Sequence, residues 1–114
     1  MAVQTASMKN SLATAYKNAA TYAALYTTVP GASAGTEVTG GAPAYARKAL
    51  TWGTPSNGVI TASATFDVPA GVTLAGAGIH DAATAGNYLD GGSVTSQPFA
   101  TQGTYTLTLT FTET

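Results

Sequence analysis

Few side chains in this sequence have the chemistry needed for acid–base or metal catalysis. The candidates are one histidine and five carboxylates, namely His80, Asp67, Asp81, Asp90, Glu37 and Glu113. His80 beside Asp81 resembles a general base with an orienting carboxylate. Adjacent residues of a strand point to opposite faces, however, which spoils the geometry of a catalytic pair. We therefore expect His80 to be structural and the aspartates to stabilise turns.

No metal or cofactor site is predicted. The chain has no cysteine, and a zinc site around His80 would need further ligands that the sequence barely supplies. A calcium ion at Asp81 and Asp90 is chemically reasonable, but no calcium-binding motif supports it. Gly76-Ala-Gly78 lacks the third glycine and the following helix of a dinucleotide-binding turn. The sequence thus predicts a protein that is not an enzyme and has no cofactor.

Aromatic side chains suggest a different chemistry, the stacking of a sugar ring. Trp52, Tyr45 and Tyr88 are candidates for such a platform, together with Asn and Asp side chains from loops. A single Trp in a small β domain is more often part of the core, so the core interpretation of Trp52 is favoured. A carbohydrate-binding module is the alternative.

The composition predicts a surface that contacts other protein subunits. Charged residues make up 8% of the chain and the formal net charge is −1, whereas ordinary soluble domains contain about 25% charged residues. With so few charges, electrostatic repulsion gives little protection against association. We therefore expect a homo-oligomer, for instance a trimer, or contacts with partner subunits. The hydrophobic fraction of 45% and aromatic fraction of 9% argue against disorder.

Nucleic-acid and membrane partners are not expected. The cations are too few to neutralise a run of phosphates and comprise Lys9, Lys17, Arg47 and Lys48. No apolar segment approaches the roughly 20 residues of a membrane-spanning helix, and the N-terminus lacks the pattern of a secretory signal. We expect a protein made in a cytoplasm.

One short helix precedes the strands in the expected single domain of residues 1–114. It is predicted over about residues 5–18, with Thr5 or Ser7 capping its start. Helical spacing predicts an apolar stripe of Met8, Leu12, Ala15, Tyr16 and Ala19 that packs against a sheet or against another subunit. The other side is polar and comprises Lys9, Asn10, Lys17 and Asn18.

Alternating apolar residues and turn residues predict six strands, at about residues 21–29, 45–52, 59–68, 72–80, 88–96 and 104–112. Asn57-Gly58 is expected to join the second and third strands as antiparallel neighbours. The fifth strand is expected to stop before Pro98. Gly76 and Gly78 mark a bulge or a close backbone approach. The pattern predicts an antiparallel β-sandwich of about six or seven strands, or a small barrel.

The last predicted strand places apolar residues on one face and threonines on the other. The threonine row is either a solvated face or a subunit interface, because threonine is uncharged and can hydrogen-bond across strands. The candidate interface residues are Met8, Leu12, Tyr16, Thr106, Thr108 and Thr110.

Several short motifs occur in a recognisable order. They include Glu37-Val-Thr-Gly-Gly41, Tyr45-Ala-Arg47, Leu50-Thr-Trp-Gly53, Phe66-Asp-Val-Pro-Ala-Gly71 and Phe99-Ala-Thr-Gln-Gly-Thr-Tyr105. From about residue 8 to 110, the chain resembles small actinobacteriophage virion proteins, usually described as tail-fibre-like or minor tail proteins. Tyr45-Ala-Arg47 and Leu50-Thr-Trp-Gly53 are the most specific motifs, and we expect them to stabilise the fold.

The resemblance implies a structural subunit of the virion, assembled in the bacterial cytoplasm with other virion structural proteins. A position in the tail or tail tip is the first hypothesis. Two alternatives are a head decoration protein that reinforces the capsid and a carbohydrate-binding module that attaches the phage to a glycan of the host surface.

Overall fold

The computed structural model describes residues 3–113. This part of the chain contains one helix and six strands, joined by turns and loops. Helix α1 spans Ala6–Ala19. The strands are β1 (Tyr22–Tyr26), β2 (Lys48–Ala49), β3 (Val59–Val68), β4 (Val72–His80), β5 (Tyr88–Phe99) and β6 (Gly103–Thr112). The predicted mainly β class with a short N-terminal helix is therefore confirmed.

The strands form two antiparallel sheets that share one core. The first sheet has the order β2-β1-β4-β5, and the second pairs β3 with β6. Residues 69–71 and 100–102 carry the chain from one sheet to the other. Both sheets contribute to the buried cluster of Ala23, Leu25, Val38, Phe66, Val68, Leu74, Ala77 and Leu107. This arrangement confirms the predicted β-sandwich.

Helix α1 packs against β3 and contacts the end of β6 through Tyr16 and Phe111. Ala13 is fully buried there, and the backbone N–H of Gly58 donates a 2.8 Å hydrogen bond to Asn10 Oδ1. The ring of Tyr16 stacks on Phe111, with centroids 3.9 Å apart. The helix therefore covers the part of the two-stranded sheet that lies beside the shared core.

Of the two places expected for the apolar stripe of α1, the sheet of the same subunit does not cover most of it. Thr5 caps the helix as expected, since its Oγ1 accepts a 3.2 Å hydrogen bond from Met8 N. The predicted apolar stripe is largely exposed, whereas Lys9, Asn10 and Lys17 are half-buried. The small Ala13 and the bond from Gly58 to Asn10 explain this packing, because both hold the polar side of α1 against the Asn57-Gly58 turn and β3.

Three predicted strands also differ in extent. The first, expected over about residues 21–29, ends at Tyr26. Only Lys48–Ala49 of residues 45–52 is a strand, and it pairs with β1 instead of β3. Side chains fix the start of this segment, because Tyr45 and Arg47 bind Glu37. β5 does not stop before Pro98, which pairs with Thr73. An edge strand tolerates proline because one side of its backbone has no partner strand.

Glycines allow side chains to lie flat on the outer face of the first sheet. A Cβ on Gly78 would lie 2.6 Å from the ring of Tyr26, and one on Gly91 would lie 2.9 Å from the ring of Pro30. A register shift separates Leu74 from Gly76, so the predicted bulge and close approach are both confirmed. Within residues 3–113, no helix has the length and apolar character needed to cross a membrane.

Candidate functional site

Glu37, Tyr45 and Arg47 form a polar network beside the core. Arg47 donates from Nε and Nη2 to the two carboxylate oxygens of Glu37, at 3.0 and 2.9 Å. The Tyr45 hydroxyl donates to Glu37 Oε2 at 2.8 Å and accepts from the backbone N–H of buried Leu25 at 2.9 Å. The Tyr45-Ala-Arg47 motif thus ties the connection between β1 and β2 back to β1.

The same network holds the loop between β4 and β5. Arg47 Nη1 donates to the carbonyl oxygens of Ala82 and Ala85, at 3.1 and 2.8 Å. Burial raises the pKa of Glu37, but hydrogen bonds from Arg47 and Tyr45 outweigh this effect and hold it below the usual 4.5. The ion pair is therefore intact at neutral pH. These contacts are internal, which supports the expectation that the motif stabilises the fold.

His80 and Asp81 do not form a catalytic pair. His80 is 4% exposed, its Nε2 is hydrogen-bonded to the Tyr26 hydroxyl, and its Nδ1 has no hydrogen-bond partner within the described part of the chain. The Asp81 carboxylate accepts from the backbone and side-chain amides of Asn87, at 2.7 and 2.9 Å. Burial, followed by the charge of Arg47, lowers the pKa of His80, so its ring is neutral at neutral pH.

A cleft of about 230 Å³ opens between β5 and β6. Both strands lie at sheet edges and no pairing joins them in residues 3–113. The first wall and the floor come from β5 and β4, through Asp90, Gly92, Val94, Ala77 and Ile79. The other wall and the end comprise Leu107, Leu109, Phe111, Tyr16 and Trp52.

Polar groups lie along the rim of this cleft. The Tyr16 hydroxyl donates a 3.0 Å hydrogen bond to Asp90 Oδ2. Burial, followed by this bond to Asp90, raises the pKa of Tyr16 above its usual 10.0, so the hydroxyl stays protonated. Asp90 Oδ1 accepts from Gly91 N at 2.9 Å. The rim therefore presents a carboxylate that accepts hydrogen bonds from two donors.

The unpaired backbone of β6 also faces the cleft. Glu113 N donates to Gly58 O at 3.0 Å, so this N–H points toward the β3 side. Backbone N–H and C=O groups point to alternate sides of a strand from one residue to the next. Odd-numbered residues of β6 therefore point these groups toward β3, and the even-numbered Thr108 and Thr110 point theirs toward the edge of β6 that has no partner strand. Both residues line the cleft. They add backbone donors and acceptors to the rim.

The three predicted platform aromatics lie in different places. Trp52 is at the end of the cleft, where its ring meets the edge of Tyr16 at 5.9 Å. Tyr45 stacks on Phe66 in the core, and the Tyr88 hydroxyl binds a loop carbonyl on the outer face. Within residues 3–113, no ring contact joins any two of the three. The sequence pattern did not indicate that Asp90 lines a cleft, because the pair Asp90-Gly91 is equally typical of a turn.

Comparison with protein families identifies a match over most of the chain. Residues 4–111 match the family described as podophage GP4 fiber I protein gp80. The chain belongs to this family. Its resemblance to fibre-like proteins of tailed phages is therefore confirmed, and as a member of this fibre family it is a structural protein of the virion. Comparisons with curated proteins and with solved structures found no match.

This gp80-family protein has two uncharged exposed surfaces that contain most of the predicted interface residues. The helical stripe comprises Met8, Leu12, Ala15 and Ala19, with Met8 53% and Leu12 39% exposed. The threonine face lies on the outer side of β3 and β6, beyond Asp67, and comprises Thr61, Ser63, Thr65, Thr106, Thr108 and Thr110. Tyr16 differs from the others, because its ring packs inward on Phe111.

Proposed function

We propose that this fibre protein is a self-associating, non-enzymatic subunit of the phage tail or tail tip. The exposed helical stripe carries this proposal. Its residues are separated by four, three and four positions, which is the spacing of the contact positions in a coiled coil. The partner that best fits such a stripe is the same helix in another copy of the chain.

The charge pattern supports the same partner. The stripe contains no charged residue, and only 8% of the whole chain is charged, so copies approach with little electrostatic repulsion. Lys9 and Lys17 are half-buried on the side that packs within the subunit. Because identical subunits usually form closed symmetric assemblies, we propose a dimer or trimer around the stripe.

Met8→Glu tests this interface while preserving the helix. The new carboxylate would lie within the stripe, yet it would complete a capping box with Thr5 and should therefore not weaken the helix. Ser7→Glu is the matched control, because Ser7 is exposed on the same helix but lies outside the stripe. We expect light scattering to give an oligomer for the wild type and Ser7→Glu, and a monomer for Met8→Glu. A monomeric wild type, or an oligomeric Met8→Glu, would contradict the interface.

The position within the virion requires a separate experiment. Purified wild-type protein would be sedimented with isolated tails and with empty capsids. Saturable binding to tails alone supports the proposed tail or tail-tip position. Binding to capsids alone would support the head decoration alternative. We also propose that the phage is an actinobacteriophage, because short motifs from about residue 8 to 110 resemble virion proteins of that group.

A further inference from the structure

We propose that the cleft between β5 and β6 binds a single neutral sugar ring. This inference goes beyond the structural role and does not depend on self-association. It rests on three features of the cleft, which are its size, its apolar interior and the hydrogen-bonding groups on its rim.

The size of the cleft suits one ring better than a chain. Its volume of about 230 Å³ is below the roughly 300–1,000 Å³ of pockets for drug-sized ligands. Gly92 contributes to this space, because a Cβ at Gly92 would have no atom within 4 Å. An extended peptide added to the free edge of β6 would need room for several residues and their side chains. The cleft therefore favours a compact ligand.

The interior offers the apolar contact that the C–H face of a sugar ring needs. Ala77, Ile79 and Leu109 provide aliphatic surface, and Tyr16 and Trp52 close the end with aromatic rings. The Trp52 ring is fixed, since its Nε1 donates to Ala20 O at 2.8 Å. Tyr16 is fixed by its bond to Asp90. A rigid aromatic end lowers the entropic cost of binding a small ring.

The rim supplies partners for the hydroxyl groups of a sugar. Asp90 accepts hydrogen bonds, and Thr108 and Thr110 present both N–H and C=O groups along the free edge of β6. No Lys or Arg occurs among the described residues that line the cleft. The carboxylate of Asp90 would therefore repel acidic sugars, so the chemistry selects a neutral ring such as a hexose or an N-acetylhexosamine.

Binding can be measured by NMR on the ¹⁵N-labelled full chain. The probes are glucose, galactose, mannose and N-acetylglucosamine, with glucuronic acid as the acidic comparison. We expect at least one neutral sugar to bind at millimolar concentration and to shift the amide signals of Gly92 and Thr110. No shift with any neutral sugar, or stronger binding of glucuronic acid, would overturn the proposal. Shifts caused only by a short uncharged peptide would also overturn it and would indicate strand addition.

Two variants locate the site. Gly92→Val fills the cleft and should weaken sugar binding by at least about tenfold. Gly31→Val is the matched control, because a Cβ there also has no atom within 4 Å, and it should bind like the wild type. Asp90→Ala, at an exposed position, provides a second test should Gly92→Val fail to fold. Unchanged affinity in Asp90→Ala or in folded Gly92→Val would overturn the assignment.

Discussion

Replacing Tyr45 with Phe tests whether the polar network stabilises the fold. The change removes one hydroxyl group and keeps a ring that stacks on Phe66 at 6.1 Å. The hydroxyl accepts from Leu25 N and donates to Glu37. Leu25 is fully buried, so its backbone N–H would lose its partner where water has little access.

The expected cost follows from these two bonds. A buried N–H without a partner costs about 1–3 kcal/mol, and a hydrogen bond to a charged group contributes about 1.5–3 kcal/mol. The loss of the hydrogen bond to the charged Glu37 should cost less than this, because Glu37 keeps both hydrogen bonds from Arg47. We therefore expect Tyr45→Phe to lower the free energy of unfolding by about 2–3 kcal/mol. For a chain of this size, the melting temperature should fall by about 8–12 °C.

Urea denaturation followed by far-UV circular dichroism measures this change. Tyr105→Phe is the matched control, because Tyr105 is half-buried and its hydroxyl makes no hydrogen bond within residues 3–113. The control should change the free energy of unfolding by less than about 0.5 kcal/mol. If Tyr45→Phe were as stable as the control, the network would not stabilise the fold as argued.

Three further changes test other parts of the structure. Gly76→Ala would place a Cβ against Pro30 and should destabilise by about 2–3 kcal/mol in urea denaturation, whereas Gly92→Ala should change stability by less than about 1 kcal/mol. Burial raises the pKa of Tyr26 from its usual 10.0 to about 12. Its contribution to stability is therefore present below pH 10 and lost as the pH rises toward 12, which urea midpoints at increasing pH would show. Trp52→Phe removes the hydrogen bond to the helix end and should cost about 1–2 kcal/mol, measured by circular dichroism.

The sequence predicted best the elements whose pattern is local. Alternation over β3 and β6 predicted their extents, and turn residues placed their ends within one residue or so. Thr5, which caps the helix, was one of two capping residues expected from their type, the other being Ser7. Each of these features depends on neighbours along the chain, so composition and spacing are sufficient to predict it.

Features that depend on distant partners were less predictable. The strand expected at residues 45–52 is mostly replaced by side-chain bonding to Glu37, which no alternation pattern reveals. The buried side of α1 is set by Ala13 and by contact with the Asn57-Gly58 turn. The cleft forms between two strand edges that do not pair, so neither strand alone indicates it.

Self-association and sugar binding use separate parts of the molecule, so the two proposals can fail independently. Met8 lies two turns of α1 before Tyr16, and the Tyr16 ring points inward to Phe111 and Asp90. The stripe residue that Met8→Glu changes therefore lies away from the cleft between β5 and β6. Met8→Glu should accordingly become monomeric and still bind a neutral sugar with the same affinity per chain in the NMR titration. A variant that lost both properties while folded would show that α1 couples assembly to the position of Tyr16, and the two surfaces could no longer be treated as independent.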